Sequence, residues 1–260
     1  MAALVKQKNS LLLSMVILAV FLMLWHLLTI GGTGQGLPGP VPVLKTAMEF
    51  IRHPFYDNGP NDKGIGILTL YSMGRLVFGF GSGVVVAIIF GVVLGLNRTI
   101  FRAVNPYIQI LKSISPIAWM PLLLYSVKNS GITALLVVFM ASLWPTLANT
   151  SFGVANIKKD YMHVSSILQL NWFSRLFKVV LPAAGPTIIA GMRISMGSAW
   201  VAIVPAEALL GSLGLGYFVW NEWNNLSLTS VIFAIILIGI VGVIIDFGLN
   251  KIAERIAFVD

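Results

Sequence analysis

Four stretches of this 260-residue chain each run 20 residues or more without a formal charge: Leu11 to Ile30, Leu76 to Leu96, Gly131 to Val154 and Trp223 to Ile245. A helix needs about 20 apolar residues to cross a hydrocarbon layer of about 30 Å. Such runs therefore predict membrane-spanning helices. Two more runs are interrupted, Pro106 to Val127 by Lys112, Pro116 and Pro121, and Pro182 to Leu210 by Arg193 and Glu207. The expected architecture is an all-α integral membrane protein with six transmembrane helices. Composition agrees, since 57% of residues are hydrophobic and 10% charged, against about 25% charged in soluble domains. The first span follows Lys6 and Lys8 as a signal peptide would. Its apolar core is too long for one, however, so it reads as an uncleaved helix.

Charge placement sets the expected orientation. With the N-terminus in the cytoplasm, Arg98, Arg102, Lys112, Lys158, Lys159, Arg175, Lys178, Lys251 and Arg255 all fall inside, and the short outer loops keep only Lys128. This asymmetry predicts both termini cytoplasmic. The longest outer loop, Gly31 to Gly66, is the exception, with Lys45, Arg52 and Lys63. Its segment Val43 to Arg52 is amphipathic enough to lie along the membrane surface, and FYDNGPNDKGIG, Phe55 to Gly66, reads as tight turns in water. The excess of 17 Lys and Arg over 9 Asp and Glu thus reflects membrane orientation and argues against nucleic acid as a partner. The expected division is an N-terminal transmembrane helix at 1–36, an extracytoplasmic loop with an interfacial helix at 37–66, and a five-helix core at 67–250. A cytoplasmic loop at 155–181 lies within that core, and a tail follows at 251–260.

That cytoplasmic loop is half-polar inside a greasy chain. Ile157, Tyr161, Val164 and Leu168 fall at i, i+4, i+7 and i+11, one apolar stripe of a helix, with Lys158, Lys159, Asp160 and His163 on other faces. The stripe has two readings: packing on its own helix ends or lipid headgroups, or a peg for a cytoplasmic partner.

Here the residues resemble a known family. Leu168-x-Leu170, LFKVVLPAAGPTIIAGMR (176–193), GSAWVAIVPAEALLG (197–211) and the following GLGYFVW are similar to the transmembrane permeases of bacterial ABC importers. FYDNGPNDKG in the outer loop and ISPIAWMPL (114–122) resemble the nitrate, bicarbonate and cyanate branch, itself close to the taurine and alkanesulfonate permeases. The loop signature of these permeases is E-A-A, three residues, Gly, nine residues, Ile, one residue, Leu-Pro. Anchored on Leu181 and Pro182, it places His163, Val164 and Ser165 on E-A-A, Gln169 on the glycine and Val179 on the isoleucine, so only Leu-Pro matches outright.

The resemblance implies a type I ABC importer permease fold in the bacterial inner membrane. It implies as partners a second permease copy, two cytoplasmic P-loop ATPase subunits carrying ATP and Mg²⁺, and an extracytoplasmic substrate-binding protein. No cofactor would be bound by this chain. The loop would be a coupling helix seated in the ATPase, with Ile157, Tyr161, Val164 and Leu168 as the buried face and Asp160 and His163 as polar contacts. The cargo would be a small inorganic anion, nitrate first, then bicarbonate or cyanate, then taurine or a sulfonate.

Charges within spans are costly and face an interior, a cavity or each other. Arg75 and Glu207 lie at matching depth and are expected to approach each other as a structural or gating pair, with snorkelling or another partner as alternatives. Arg193 is 14 residues, about 21 Å, from Glu207. It is expected either to pair with Asp246 or to line the path and attract an anion. The prolines of the third span leave Pro116, Trp119 and Pro121 as a kinked packing helix or as a border of the substrate path. Gly79, Gly81, Gly83, Gly91 and Gly95 are expected to let helices approach, and Gly91 with Gly95 to mark a permease dimer contact.

Enzymatic chemistry finds little support. His26, His53 and His163 are far apart in topology, so no metal cluster is expected, and the absence of cysteine excludes thiolate ligands and nucleophiles. No Gly-rich phosphate cradle ends in Gly-Lys-Ser or Gly-Lys-Thr, and GSLGLG (211–216) ends a membrane helix and follows no strand. A secondary transporter or channel would show inverted hydropathy repeats and titratable clusters, neither of which is evident.

Overall fold

A computed structural model describes residues 2–30 and 36–256, with side chains over 12–30 and 36–251. The side chains of Lys6, Lys8 and Arg255, residues 31–35 of the first loop and residues 257–260 of the tail lie outside the described set. The elements are helical: α1 (Ala2–Ile30), α2 (Pro40–Arg52), α3 (Ile65–Leu96), α4 (Arg98–Ser113), a 3-10 turn (Pro116–Trp119) and α5 (Met120–Val127). There follow α6 (Ser130–Ala155), α7 (Lys159–Ile167), α8 (Trp172–Arg175), a π turn (Leu176–Val180), α9 (Leu181–Leu210), α10 (Leu215–Asn224) and α11 (Leu228–Ile256).

Five helices are long and apolar enough to span a membrane, or six if the bent pair α4–α5 counts as one span. The third expected span is therefore not a simple rod, because its arms meet at 89°. The reason is local. Proline disfavours helical backbone in the residue before it, and Ser115, preceding Pro116, has φ −57° and ψ 130°. The sixth span also starts later than the hydropathy run. Trp223 and Asn224 end α10, and a turn with Leu226 at φ 57° separates them from α11.

The core is a stack of α3 on α6 and α6 on α9. Lipid removes the hydrophobic drive for helices to associate, so close approach through small residues takes its place. A Cβ on Gly79 or Gly83 would meet α6 backbone, the carbonyls of Leu135 and Phe139, at 2.8 Å. A Cβ on Gly91 or Gly95 would lie 2.6 Å from the Cβ of Thr150 or Val154. Gly91 and Gly95 are thus occupied within this chain by α6. This corrects the expectation that they mark a dimer contact: the small-x-x-x-small spacing fixes one face of a helix and leaves open which helix covers it. On the next seam, Thr146 and Ser195 hydroxyls lie 2.6 Å apart, and Ser195 donates to the Ser142 carbonyl at 2.8 Å.

The outer elements hang on this stack. α2 packs on α11, and Phe50 sits edge-on to Phe218 and stacked on Phe233. α1 leans on α2, with the Trp25 indole donating to the Pro38 carbonyl at 3.2 Å, and most of its described surface is exposed. Between α2 and α3, Asp57 accepts from Lys63 at 2.6 Å and from the Gly59 N–H at 3.2 Å. These hydrogen bonds, Lys63 first, hold its carboxyl below the usual carboxylate range.

Gly91→Leu is expected to separate α3 from α6 and lower stability by about 1–3 kcal/mol or more, the usual penalty of overpacking. Gly81→Ala, whose Cβ meets nothing within 4 Å, is expected to leave it unchanged. Thermal unfolding of the two purified variants in detergent checks the contrast.

Candidate functional site

Glu207, fully buried on α9, is the centre of a polar knot. Its Oε1 accepts from Arg75 Nη1 at 2.7 Å, and its Oε2 accepts from Ser72 Oγ at 2.7 Å and from the Gly216 N–H at 3.1 Å. Ser72 Oγ in turn accepts from the Leu215 N–H at 2.9 Å, and Arg75 donates to the Leu213 carbonyl. One carboxylate therefore ties α3, α9 and the 211–216 connection together. Gly214 and Gly216 are what let that connection come so close. A Cβ on Gly214 would collide with the Glu207 carboxyl, and one on Gly216 with the Val204 carbonyl. Arg75 and Glu207 were expected as a pair from depth. Ser72 and the two glycines carry no such signal, because a serine and two backbone N–H groups look alike anywhere in a greasy run.

At one end of the bundle the sequence stripe divides. α7 covers only Lys159–Ile167, so Ile157 precedes it and Leu168 caps it. Ile157 packs inward with Met162, beside Val154, Val180 and Ala184, whereas Tyr161, Val164 and Leu168 remain 51%, 52% and 63% exposed. The expected four-residue face is therefore corrected to three outward residues. The break at Asn156–Lys158 interrupts the helical period before it reaches Ile157. Tyr161 and Val164 wall a groove of about 580 Å³ with Lys178, Val179, Pro182, Ala183 and Pro186. Asp160 and His163 are exposed, and His163 lines a second cavity of about 240 Å³ with Arg98 and Lys159.

Just past α7, Gln169 has φ 49°, in the left-handed region. This is the signature's glycine position. The sharp bend is kept without the glycine, stabilised by Leu170 N–H donating to the Ser165 carbonyl at 3.1 Å.

The broken span places Pro116 and Trp119 in the 3-10 turn and Pro121 in the first turn of α5. Beside the break lies a cavity of about 230 Å³, lined by Pro116, Lys112 and Trp144 among others. Lys112, counted with the charges at one end of the bundle, lines this cavity from the last turn of α4, just before the break. Arg193 and Asp246 are not brought together. Among the described residues the ion pairs are Lys63–Asp57 and Arg75–Glu207. Arg193 is exposed on α9, and exposed Asp246 accepts from Asn250 at 3.2 Å. Equal depth fixes height along a helix, not the side on which a residue projects.

Comparison with known proteins adds the following. The family described as "binding-protein-dependent transport system inner membrane component" matches residues 83–258. The nitrate import permease protein NrtB of Synechocystis sp. is 38% identical over 231 residues, 89% of this chain and 84% of that protein. The bicarbonate transport system permease protein CmpB of Synechococcus elongatus is 36% identical over 229 residues, 87% and 82% of the two chains. Among solved structures, an inward-facing form of the MetNI methionine ABC transporter superposes with a TM-score of 0.62 at 17% identity. That match covers 72% of this chain and 94% of that one, which shows a shared fold.

Glu207→Ala strands Arg75 and is expected to cost about 3–5 kcal/mol, as removal of one partner of a buried pair does. Adding Arg75→Met should recover part of that loss, and a purely additive result in thermal unfolding would show the two are uncoupled. Gln169→Gly is expected to be neutral or stabilising by up to about 1 kcal/mol, since it relieves a left-handed non-glycine residue, whereas Gln169→Val should destabilise. Melting temperatures of the two variants check the sign.

Proposed function

Because the chain belongs to the family of binding-protein-dependent transport system inner membrane components, the membrane subunits of ABC importers, we propose that it carries a small inorganic anion, nitrate first. The observation behind that cargo is the 38% identity over 89% of the chain to a nitrate import permease. The 36% identity to a bicarbonate permease supports bicarbonate as the second reading. Cyanate and then taurine or a sulfonate follow by family likeness. The chain is a non-catalytic, multi-pass inner-membrane subunit, and ATP is hydrolysed on partner subunits.

In the proposed assembly two copies of this chain form the pathway, two P-loop ATPases bind ATP and Mg²⁺ on the cytoplasmic side, and a binding protein delivers the anion from outside. Both termini are cytoplasmic. The domain division is then the one read from sequence, with α2 in the 37–66 segment and the coupling loop at 155–181. Tyr161, Val164 and Leu168 seat in the ATPase, with Asp160 and His163 at the rim. Three features support this seat. The face is apolar and uncovered among the described residues. It stands on a short helix whose other side is anchored through Met162 and Ser165. It also adjoins the groove leading to Pro182 and Pro186, at the start of α9. A displacement of α7 would pass through the π turn into α9, and so to Glu207. The Glu207–Arg75 knot holds the far end of α9 to α3, so the two helices move as one body during alternating access.

The test is to purify the tagged permease from native membranes and identify co-purifying subunits, beside a Tyr161→Asp, Leu168→Asp variant. Both sites are more than half exposed, so the variant should keep its melting temperature while losing its ATPase subunits. Wild-type membrane vesicles, supplied with binding protein and ATP, should take up labelled nitrate. Uptake of bicarbonate alone selects the second reading, and absence of any ATPase under conditions that preserve complexes refutes the importer assembly.

A further inference from the structure

The cavity beside the α4–α5 break has a chemistry that no structural role accounts for. Its α6 residues run from Met140 to Pro145, ten residues in from either end of that helix. That is about 15 Å from each end, the middle of a hydrocarbon layer about 30 Å thick. Lys112 lines it, and Lys112 has no ion-pair partner among the described residues. A cation at that depth is costly against lipid and is tolerated where it faces a cavity or an opposite charge.

The rest of the lining is biased the same way. Ser115 and Ser198 contribute hydroxyls, and Ser115 makes no capping bond to the 3-10 turn it precedes. Trp144 contributes apolar ring surface to the lining. No Asp or Glu is among the lining residues. A cation and two hydroxyls, with no carboxylate, form a set that lacks one thing, a negatively charged acceptor. The volume of about 230 Å³ is several times the roughly 30 Å³ share of a water molecule in the liquid. It therefore has room for a small oxyanion that keeps part of its hydration.

We propose that this cavity is a mid-membrane transit site for the transported oxyanion, with Lys112 supplying the charge and Ser115 and Ser198 the hydrogen bonds. It rests on the permease reading above and deepens it by placing the cargo. The site is open and holds one cation, so it binds weakly and releases readily, as a pathway requires. Arg193, which also forms no ion pair among the described residues, is not among the lining residues. It stays on the exposed face of α9.

The chain contains no cysteine, so Ser198→Cys puts a single thiol of this subunit in the cavity. In the complete importer, the rate of labelling this subunit is measured with anionic sulfonatoethyl methanethiosulfonate and with neutral methyl methanethiosulfonate. Adding Lys112→Gln is expected to slow the anionic reagent about tenfold more than the neutral one, the order of effect of one unit charge at close range in a partly hydrated site, the neutral reagent accounting for any change in thiolate fraction. Sodium nitrate should slow anionic labelling in the Lys112 background more than sodium chloride at equal ionic strength. Equal protection by chloride, no protection, or an unchanged reagent ratio in the Lys112→Gln background overturns the site. Sodium bicarbonate runs in parallel. Protection by bicarbonate in place of nitrate keeps the site and replaces the cargo, whereas nitrate uptake by wild type without protection keeps the cargo and removes the site. If Ser198→Cys does not assemble, Ser115→Cys, at an exposed position on the same cavity, takes its place.

Discussion

A carboxylate at the far end of α9 can exist inside this bundle only if every lone pair that faces protein finds a donor. In lipid no water is available to supply one. Glu207 meets that demand with Arg75, Ser72 and the Gly216 N–H, and each partner constrains something else. Arg75 also binds the Leu213 carbonyl, and Ser72 also receives the Leu215 N–H. The connection between α9 and α10 is therefore held by the same atoms that join α9 to α3. Replacement of the ion pair by apolar residues can be energetically neutral, so raw stability does not explain it. What the knot gives is a unique register: one height at which α3, α9 and the glycine-bearing turn fit together.

The helices reach that register because their seams are made of small residues and hydroxyls. Gly79, Gly83, Gly91 and Gly95 bring α3 against α6, and Gly191 brings α9 against Asn149 and Thr146 of α6. α6 is consequently the axle of the core, with Thr133, Ser142, Thr146, Thr150 and Ser151 fully buried on it. A rigid axle suits a protein that must convert a push at one end into an opening elsewhere. Interfaces packed this closely shift between discrete arrangements and do not deform continuously. α7 stands off this axle, joined to it through Met162, Ile157 and the π turn.

Hydropathy makes the long helices legible because length and greasiness are what the bilayer reads, and residues 131–154 coincide almost residue for residue with α6. The same signal overran the start of α11. The turn from Asn224 to Ser227 is polar but carries no formal charge, so a charge-free run passes straight through it, and the left-handed Leu226 marks the break in the backbone. Depth arithmetic was enough to bring Arg75 to Glu207 and insufficient for Arg193 and Asp246, because depth says nothing of the direction in which a side chain leaves its helix. The α7 stripe was legible as a period and misjudged in extent, since periodicity carries on through a non-helical residue such as Lys158 as if the helix did too. Gln169 shows the converse. The signature glycine is missing, yet its backbone conformation persists, because the contacts between Leu170 and Ser165 impose the bend that glycine would otherwise only permit.

The distribution of satisfied and unsatisfied polar groups separates scaffold from machinery. Glu207 and Arg75 are paired with each other, and the turn between α2 and α3 is closed on itself through Asp57 and Lys63. Lys112, Arg193 and the cluster of Arg98, Lys159 and His163 are basic and form no ion pair among the described residues. Uncompensated positive charge inside and at one end of a bundle destabilises the isolated subunit, so a chain that keeps it is matched to negative charge arriving from elsewhere. Two sources fit the two places: an anion in transit at mid-depth, beside a break in α4–α5 that leaves room for it, and the surface of a partner at the end where α7 stands exposed. The same reasoning distinguishes the two apolar surfaces. α1 is exposed over nearly all of its described length and needs only lipid to cover it. Tyr161, Val164 and Leu168 sit among Lys158, Lys159, Asp160 and His163, a setting more polar than that of α1, which fits the proposed seat on a partner protein.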